Sequence, residues 1–526
     1  MEGSCPGLMP VEQARVMDTE DIRAVEANTV WLGVPLTLLM ENAGRAVADA
    51  VECRLGGVRG RRVVVYAGRG GNGGDAIVAA RHLAARGAVV EVYLLYDERL
   101  YDHPDARMNL EALLRSGYAK VRRVRDPSGL EPVDADAVID GMLGIGVRGA
   151  LREPIASAVR AFSRSRALRV SIDVPTGVNP DTGEAAEGSA EADLTVTFHA
   201  AKPGLLRDPG RMYAGEILVA EIGSPPQAEE VAGPGDVAQR IPPRPRDAHK
   251  GVGGRVLVVG GSSLYFGAPA LAALAAYKAG ADLAFLAAPR RVAESAAGWN
   301  PSIIPRPLEG ERVGEEHVDA IVGEAARAHS IALGPGLGLD EATIKAVGRI
   351  IEEVRGKPLV IDADGLKALA KLGTSLWPEA VLTPHRGEAR LLLGGEEAAP
   401  EEAARRIARE YQATVIVKGP VDYICSPNGG CRRNTTGVPA MSTGGTGDVL
   451  TGVTAAFLAR RASLGLPLKP LHTASAAAFT VGKAGEEAYK ALGEGMTAID
   501  VLDRIPSVVE WSRRMPLHCQ PPDSRL

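Results

Sequence analysis

The chain has no excess of positive charge. Its 60 lysines and arginines are outnumbered by 65 aspartates and glutamates, a formal net charge of -5. Nothing is present to displace counterions from a phosphate backbone, so no nucleic-acid partner is expected. Long hydrophobic runs are also missing. The most apolar stretch, 271–288, is broken by Lys278 and Asp282, and Met1-Glu2-Gly3-Ser4-Cys5 carries no basic segment followed by an apolar one. Neither a membrane span nor an export signal is expected, which leaves the cytoplasm as the default location. Cysteine is scarce: Cys5, Cys53, Cys425, Cys431 and Cys519 are scattered without a C-x-x-C pair. That favours neither a zinc site nor a disulfide framework. Cys425 and Cys431 do flank the turn Pro427-Asn428-Gly429-Gly430 and could face each other across a hairpin, but a reducing cytoplasm weighs against a bond. No G-x-x-x-x-G-K-[ST] sequence occurs, which excludes a P-loop nucleotide site.

What is present is the composition of an ordinary globular protein, 45% hydrophobic and 24% charged, over 526 residues. That length calls for two domains. From residue 60 onward short β-branched runs alternate with helical patterns: strands at 63–66, 89–95, 137–139 and 169–172, and helices at 75–86 and 105–116. Such alternation implies a mostly parallel sheet covered by helices on both faces. Residues 1–55 read as a helical extension packed onto it. Between 224 and 248 six prolines interrupt a polar segment, which reads as an extended linker. The alternation then restarts, with strands at 255–259, 284–287, 331–333, 359–362, 381–382 and 414–417 and a helix at 268–279. The expectation is two tandem α/β domains, 1–235 and 236–526.

Two glycine-rich loops carry the chemistry. Thr443-Gly444-Gly445-Thr446-Gly447-Asp448 precedes the apolar run Val449-Leu450-Thr451-Gly452-Val453. Glycines let consecutive N–H groups point into one concavity, and a helix starting near Asp448 adds the positive end of its dipole, so the loop reads as an anion cradle. A carboxylate at its mouth would repel phosphate unless it served as a base, taking a proton from a hydroxyl while the cradle holds the group in transfer. A capping aspartate at an ordinary helix start is the bland alternative. Three further strand ends, Gly334-Pro335-Gly336-Leu337-Gly338, Thr383-Pro384-His385-Arg386-Gly387-Glu388 and Lys418-Gly419-Pro420-Val421-Asp422, would face the same crevice, although a lone histidine such as His385 is more often structural. In the first domain, Gly68, Gly70 and Gly73 satisfy G-x-G-x-x-G, and Glu91 stands where a ribose-binding acid would be. Asp75 would occupy the place of a pyrophosphate, however, so the loop suits a nucleotide derivative or a cation instead. Asn72, Asp140, Asp173 and Thr176 would converge at the carboxyl ends of parallel strands, and their oxygen ligands point to an alkali or alkaline-earth ion.

The order of Asp364-Gly365, Thr383 to Glu388, Lys418-Gly419 and Gly444 to Gly452, preceded by His249-Lys250-Gly251 and Gly260-Gly261-Ser262, resembles the NAD(P)H-hydrate dehydratase family, which has a ribokinase-like fold. The N-terminal half, with Gly70 to Asp75, Asp140 and Asp173-Val174-Pro175-Thr176-Gly177, resembles the NAD(P)H-hydrate epimerase domain, with a Rossmann-like sheet. Together they resemble the bifunctional repair enzymes, and the resemblance implies two tandem three-layer α/β/α domains. It further implies salvage of reduced nicotinamide cofactors to which water has added. The epimerase interconverts R and S hydrates (NADHX and NADPHX), and the dehydratase spends ADP, with Mg2+, on the S form to give NADH or NADPH, AMP and phosphate. Asp448 would be the catalytic base. Lys418, Gly419, Pro420, Val421, Asp422 and Gly447 would bind the nucleotide, and Ala268, Gly336, His385 and Asp448 the hydrate.

In the epimerase, the resemblance assigns hydrate binding to Gly71, Asn72, Gly73, Gly74, Asp75, Gly144, Ile145, Gly146, Val147, Arg148, Gly149, Ala150 and Asp173, with Asp173 catalytic, and potassium binding to Asn72, Asp140 and Thr176. The sequence departs from the family where Gly71 replaces an Asn, Ala76 a Gly and Thr176 a Ser; the first removes an amide from the hydrate loop. A homo-oligomer is expected. A ribokinase-class kinase of a small alcohol would use the same Gly-Thr-Gly-Asp chemistry but accumulate the phosphorylated alcohol, and a non-catalytic nucleotide sensor would not need Asn72, Asp140 and Asp173 together.

Overall fold

In the computed structural model, which describes residues 5–101, 103–144 and 149–515, the chain divides into two compact units between Pro225 and Pro226. The first is built on β1 (Leu8–Pro10), β2 (Arg62–Ala67), β3 (Val89–Leu94), β4 (Lys120–Arg123), β5 (Asp134–Gly141), β6 (Arg166–Ile172), β7 (Leu194–Phe198) and β8 (Glu216–Ala220). They form one sheet in the order β1-β8-β7-β6-β5-β2-β3-β4, parallel except at the β1–β8 edge. The period of two along β2 divides its side chains between two cores. Val63, Val65 and Ala67 join the helices Leu36–Leu55, Gly71–Ala85 and Pro104–Ser116, while Val64 and Tyr66 meet the helix Ile155–Arg164. Both faces are therefore covered, as a parallel sheet requires.

The N-terminal extension is helical over Thr19–Trp31 and Leu36–Leu55, but it also contributes β1 to the sheet edge. Cys5, just ahead of β1, is bonded to Cys53 near the end of the second helix. A second disulfide joins Cys425 to Cys431. The first corrects the expectation of a chain without a disulfide framework, since scattered spacing hid a pair that the fold brings together; the second is the hairpin pair that the sequence left open.

The second unit contains β9 (Arg255–Val259), β10 (Leu283–Pro289), β11 (Ile304–Leu308), β12 (Ser330–Leu333), β13 (Leu359–Ile361), β14 (Ala380–Leu382), β15 (Thr414–Val417), β16 (Asp422–Cys425) and β17 (Cys431–Asn434). Their order is β11-β10-β9-β12-β13-β14-β15-β16-β17, parallel up to β15 and closed by the antiparallel hairpin β16–β17, in which Cys425 lies opposite Cys431. Leu257, Val259, Ile331, Leu333, Leu359 and Ile361 face one core with the helices Glu341–Glu353, Asp364–Leu372 and Pro400–Tyr411. The helices Gly267–Lys278 and Thr446–Ser463 also pack against the sheet and against each other, at a separation that leaves no room for a side chain at Gly452: a Cβ there would stand 2.1 Å from the carbonyl oxygen of Ala272. The three-layer expectation holds in both units.

The proline-rich segment is not an extended linker. It forms the short helices Gln227–Glu230 and Pro234–Arg240, and the backbone of Ala232 donates to the carbonyl of Arg433 on β17. Asp236, fully buried, pairs with the Arg432 guanidinium through both oxygens. A buried, doubly hydrogen-bonded ion pair fixes a segment where proline content alone suggests a spacer.

Candidate active sites

The glycine-rich cradle of the second unit is the first turn of a helix. The helix Thr446–Ser463 starts two residues before the expected point, with Gly445 ahead of it in the left-handed region at φ 97°. A side chain at Gly445 would also meet Leu271 and Ala498. First-turn amides have no intrahelical acceptor and remain available to an anion. Asp448 stands in that turn, and its carboxyl is pushed up to about 7, first by burial and then by the negative charge of Asp362, with Lys418 pulling the other way. At that value the group exchanges protons near neutrality, as a general base should.

Lys418 leaves the end of β15, and its Nζ donates to Asp362 Oδ1 at 2.9 Å, while Thr451 Oγ1 donates to the other Asp362 oxygen at 2.8 Å. Burial works against the Lys418 cation, but Asp362 and Glu388 outweigh it and raise its pKa. Gly447 is small for a local reason: a Cβ there would come within 3.2 Å of Lys418 Nζ. Lys418, Gly447 and Asp448 are thus brought together. Asp422 turns back to accept from Gly419 N at 3.0 Å and from Asn434, which closes the Lys418-Gly419-Pro420-Val421-Asp422 turn with Gly419 and Pro420 exposed. His385 lies beside Lys418, the backbone of which donates to Pro384 O. Its Nδ1 accepts from Gly387 N and Glu388 N, and Glu388 in turn accepts from His385 N, a capping box at the start of the helix Arg386–Leu392. Half of the His385 ring surface stays open. Gly336, at φ 67°, packs against Tyr265 and Pro269, next to Ala268 in the first turn of the helix Gly267–Lys278.

In the first unit the glycine loop is likewise a helical turn, since the helix Gly71–Ala85 starts four residues earlier than expected and holds Gly71, Asn72, Gly73, Gly74 and Asp75 in its first turns. Gly73 is required by contact, because a Cβ would stand 1.8 Å from the carbonyl oxygen of Gly68. Asn72 Nδ2 donates to the carbonyls of Ile172 at 2.8 Å and Leu143 at 3.2 Å. Asp140, fully buried at the end of β5, accepts from Ser171 Oγ, Thr176 N, Thr176 Oγ1 and Met142 N. Burial raises its pKa, and those bonds oppose the rise. Thr176 thus contacts Asp140 directly, and Asn72 is linked to Thr176 through the Leu143 carbonyl, which accepts from both side chains. The donor set is one carboxylate with neutral oxygens, and among the described residues no group of three or more His, Cys, Asp or Glu is placed to hold a metal. The Asn72 amide hydrogens lie between two carbonyls, where a cation would find the same oxygens. Such a set fits a monovalent ion better than a divalent one, which demands more negative charge. Gly144 lies against the Asn72 side chain, and Gly149 and Ala150 are exposed. Ile145, Gly146, Val147 and Arg148 lie outside the described residues.

Asp173 sits at φ 64°, a strained conformation for a non-glycine residue. Its carboxylate accepts from Lys202 Nζ, Thr197 Oγ1 and Phe198 N. Lys202, 1% exposed, also donates to Thr197 Oγ1 and to Phe198 O. Asp75 lies in the same electrostatic cluster, its pKa raised well above the usual range, first by burial, then by Asp173 and Glu26; Glu26 is raised for the same two kinds of reason. The sequence reading missed Lys202, Glu26, Asp362 and Thr451. Lys202 was within reach of the strand-end rule, because His199-Ala200-Ala201-Lys202 directly follows β7, a strand that Leu194-Thr195-Val196-Thr197-Phe198 announces by its β-branched and aromatic composition. Glu91 is a correction: it lies along β3 and pairs with Arg62, Arg122 and Lys120, a structural ion cluster away from the strand ends.

These two clusters, one per unit, match two known families. Residues 256–507 fit the family described as NAD(P)H-hydrate dehydratase, and residues 36–204 fit the YjeF-related protein N-terminus. A bifunctional NAD(P)H-hydrate repair enzyme from Hyperthermus butylicus is 44% identical over 520 residues, 96% of this chain and 95% of that one. The chain belongs to the bifunctional NAD(P)H-hydrate repair enzyme family. A second member, from Methanothermobacter thermautotrophicus, is 42% identical, with 96% of this chain and 97% of that one aligned. Among solved structures, an ADP/ATP-dependent NAD(P)H-hydrate dehydratase from Bacillus subtilis, co-crystallised with ATP and Mg2+, is 26% identical and covers 53% of this chain and 97% of its own, at a TM-score of 0.45. No helix among the described residues is long and apolar enough to cross a membrane.

Proposed function

We propose that this protein repairs hydrated NADH and NADPH, the first unit interconverting the R and S hydrates and the second dehydrating the S form at the expense of ADP. The observation that carries this reading is Asp448, poised near neutrality at a helix N-terminus beside Lys418. In the second unit Asp448 takes the proton of the hydrate hydroxyl, the freed oxygen bonds to the terminal phosphorus of ADP, and the bond from that phosphorus to the AMP oxygen breaks. Amides of Gly444 to Gly447, at and just ahead of the first turn, hold the phosphoryl oxygens, and Lys418 with the turn to Asp422 holds the nucleotide, whose Mg2+ enters with it as part of the substrate. The ring nitrogen's electron pair then expels phosphate, and loss of a proton from the neighbouring carbon restores the double bond. Ala268, Gly336 and His385 line the pocket for the hydrate.

In the first unit the hydroxyl-bearing carbon adjoins the ring nitrogen, so inversion needs a bond broken and remade with proton transfer each way. Asp173, held by Lys202, and Asp75, whose pKa is raised first by burial and then by the charge of Asp173, are the proposed base and acid of one electrostatic cluster. The remaining hydrate-binding assignments, Gly71 to Gly74 and 144–150, follow the family. Potassium, where bound, would lie among Asn72, Asp140 and Thr176, neutralise the buried carboxylate and hold the strand-end loops in place. The cytoplasm, where reduced nicotinamide cofactors turn over, is the proposed location, and a homo-oligomer is the proposed assembly.

Asp448→Asn tests the reading. The amide keeps the shape but accepts no proton, so ADP-dependent dehydration should fall by ~100- to 10,000-fold, with nucleotide affinity and epimerisation retained. Near-wild-type turnover would make Asp448 a helix cap and end the phosphoryl-transfer account.

A further inference from the structure

The helix Thr446–Ser463 has a second functional end. Arg460, about 18 Å along the axis from Asp448, lines a cavity of about 350 Å³ within the second unit, together with Arg244, Lys278, Arg513 and, on the apolar side, Tyr277 and Val509. Arg460 is 4% exposed. Its guanidinium donates only to main-chain carbonyls, Pro242 O at 3.0 and 3.3 Å and Val252 O at 3.3 Å. Among the described residues no carboxylate lies within ion-pair distance of it. Arg513 likewise donates to Ile241 O at 2.9 Å and Pro242 O at 3.2 Å, and it forms a loose ion pair with Glu510 at 3.9 Å. Arg244 pairs with Asp282 and Lys278 with Asp503.

Carbonyls satisfy the N–H groups of Arg460 but carry no formal charge, and Asp282, already paired with Arg244, compensates the cation only from a distance, a shortfall that a bound anion would remove. The strain is visible in its pKa, pushed down to about 10 by burial, then by Arg244 and Arg513; Arg513 is lowered too, mainly by burial. Arginine forks from several directions suit a tetrahedral anion with oxygens on every side.

We propose that this cavity binds a phosphate group, either as orthophosphate or as the phosphate of a nucleoside phosphate whose base lies on Tyr277. Both are products of the dehydration proposed above, so the site would let the second unit sense its own turnover; the binding itself does not depend on that reading. The test is equilibrium dialysis of the full chain against labelled orthophosphate and, separately, AMP, at constant ionic strength, with a non-hydrolysable ADP analogue filling the dehydratase crevice. The wild type is expected to bind one anion more per chain than the Arg244→Gln/Arg513→Gln double variant, or to bind it at least tenfold more tightly. Tighter AMP binding that orthophosphate competes away assigns a nucleotide, and equal competition assigns free phosphate. Lys278→Gln, on a half-exposed side chain, should weaken binding in the same sense and serves if the double variant fails to fold. Equal stoichiometry and affinity in wild type and variants, or binding that chloride displaces as well as phosphate does, would overturn the proposal.

Discussion

Asp448 draws its reactivity from neighbours. Desolvation and the charge of Asp362 put its carboxyl near 7, well above the ordinary 3.8. A raised value means that the protonated form dominates below about 7 and only the ionised form can accept the hydroxyl proton. Dehydration should therefore lose about tenfold per pH unit as pH falls below that value. A rate flat from pH 8 to 5 in single-turnover experiments would show that Asp448 is not the base. In the first unit a single buried carboxylate, Asp140, ties the ends of β5 and β6 together through Met142, Ser171 and Thr176. Asp140→Ala should lower epimerisation and remove its stimulation by potassium while leaving dehydration of pure S hydrate unchanged. Equal epimerase rates with and without potassium in the wild type, and no loss in the variant, would discard the cation and its ligands.

At the scale of elements, the strands that line the crevices were legible because they are short, β-branched and buried on both faces; β9 and β15 fall where periodicity places them. The edges were not. β1, β4, β16 and β17 owe their place to pairing partners far along the chain, and no local pattern reports that. The glycine-rich loops were recognised as sites but misread as loops, since glycine's low helix propensity hides a first turn that contact forces on Gly73 and Gly447. Charged groups that act through the fold, such as Lys202 behind Asp173 and Asp362 behind Lys418, are separated from their partners by 29 and 56 positions. The Cys5–Cys53 disulfide was obscured for the same reason, whereas Cys425 and Cys431 were legible as neighbours across a turn. Cys5–Cys53 closes a separation of 48 residues, which in the chain-entropy account stabilises by about 4 kcal/mol. Cys53→Ser should lower the melting temperature of the first unit and leave that of the second almost unchanged; an unshifted first transition would show that the bond adds nothing to stability.

The whole molecule is two complete α/β/α units, each with its own crevice at the carboxyl ends of parallel strands. The second begins at Pro226, because Asp236 and the helices around it are anchored to Arg432 and β17. Joining the two chemistries in one chain matters because the dehydrating unit accepts one stereoisomer only, so the R hydrate is recovered only as fast as the other unit inverts it. The central claim is tested most directly by supplying the full chain with ADP and a mixture of R and S hydrates and following the return of reduced-nicotinamide absorbance. The wild type should recover the whole mixture, and Asp173→Asn should recover the S share and then slow to the uncatalysed rate of inversion. Full, unslowed recovery by Asp173→Asn, or recovery by the wild type without ADP, would contradict the account.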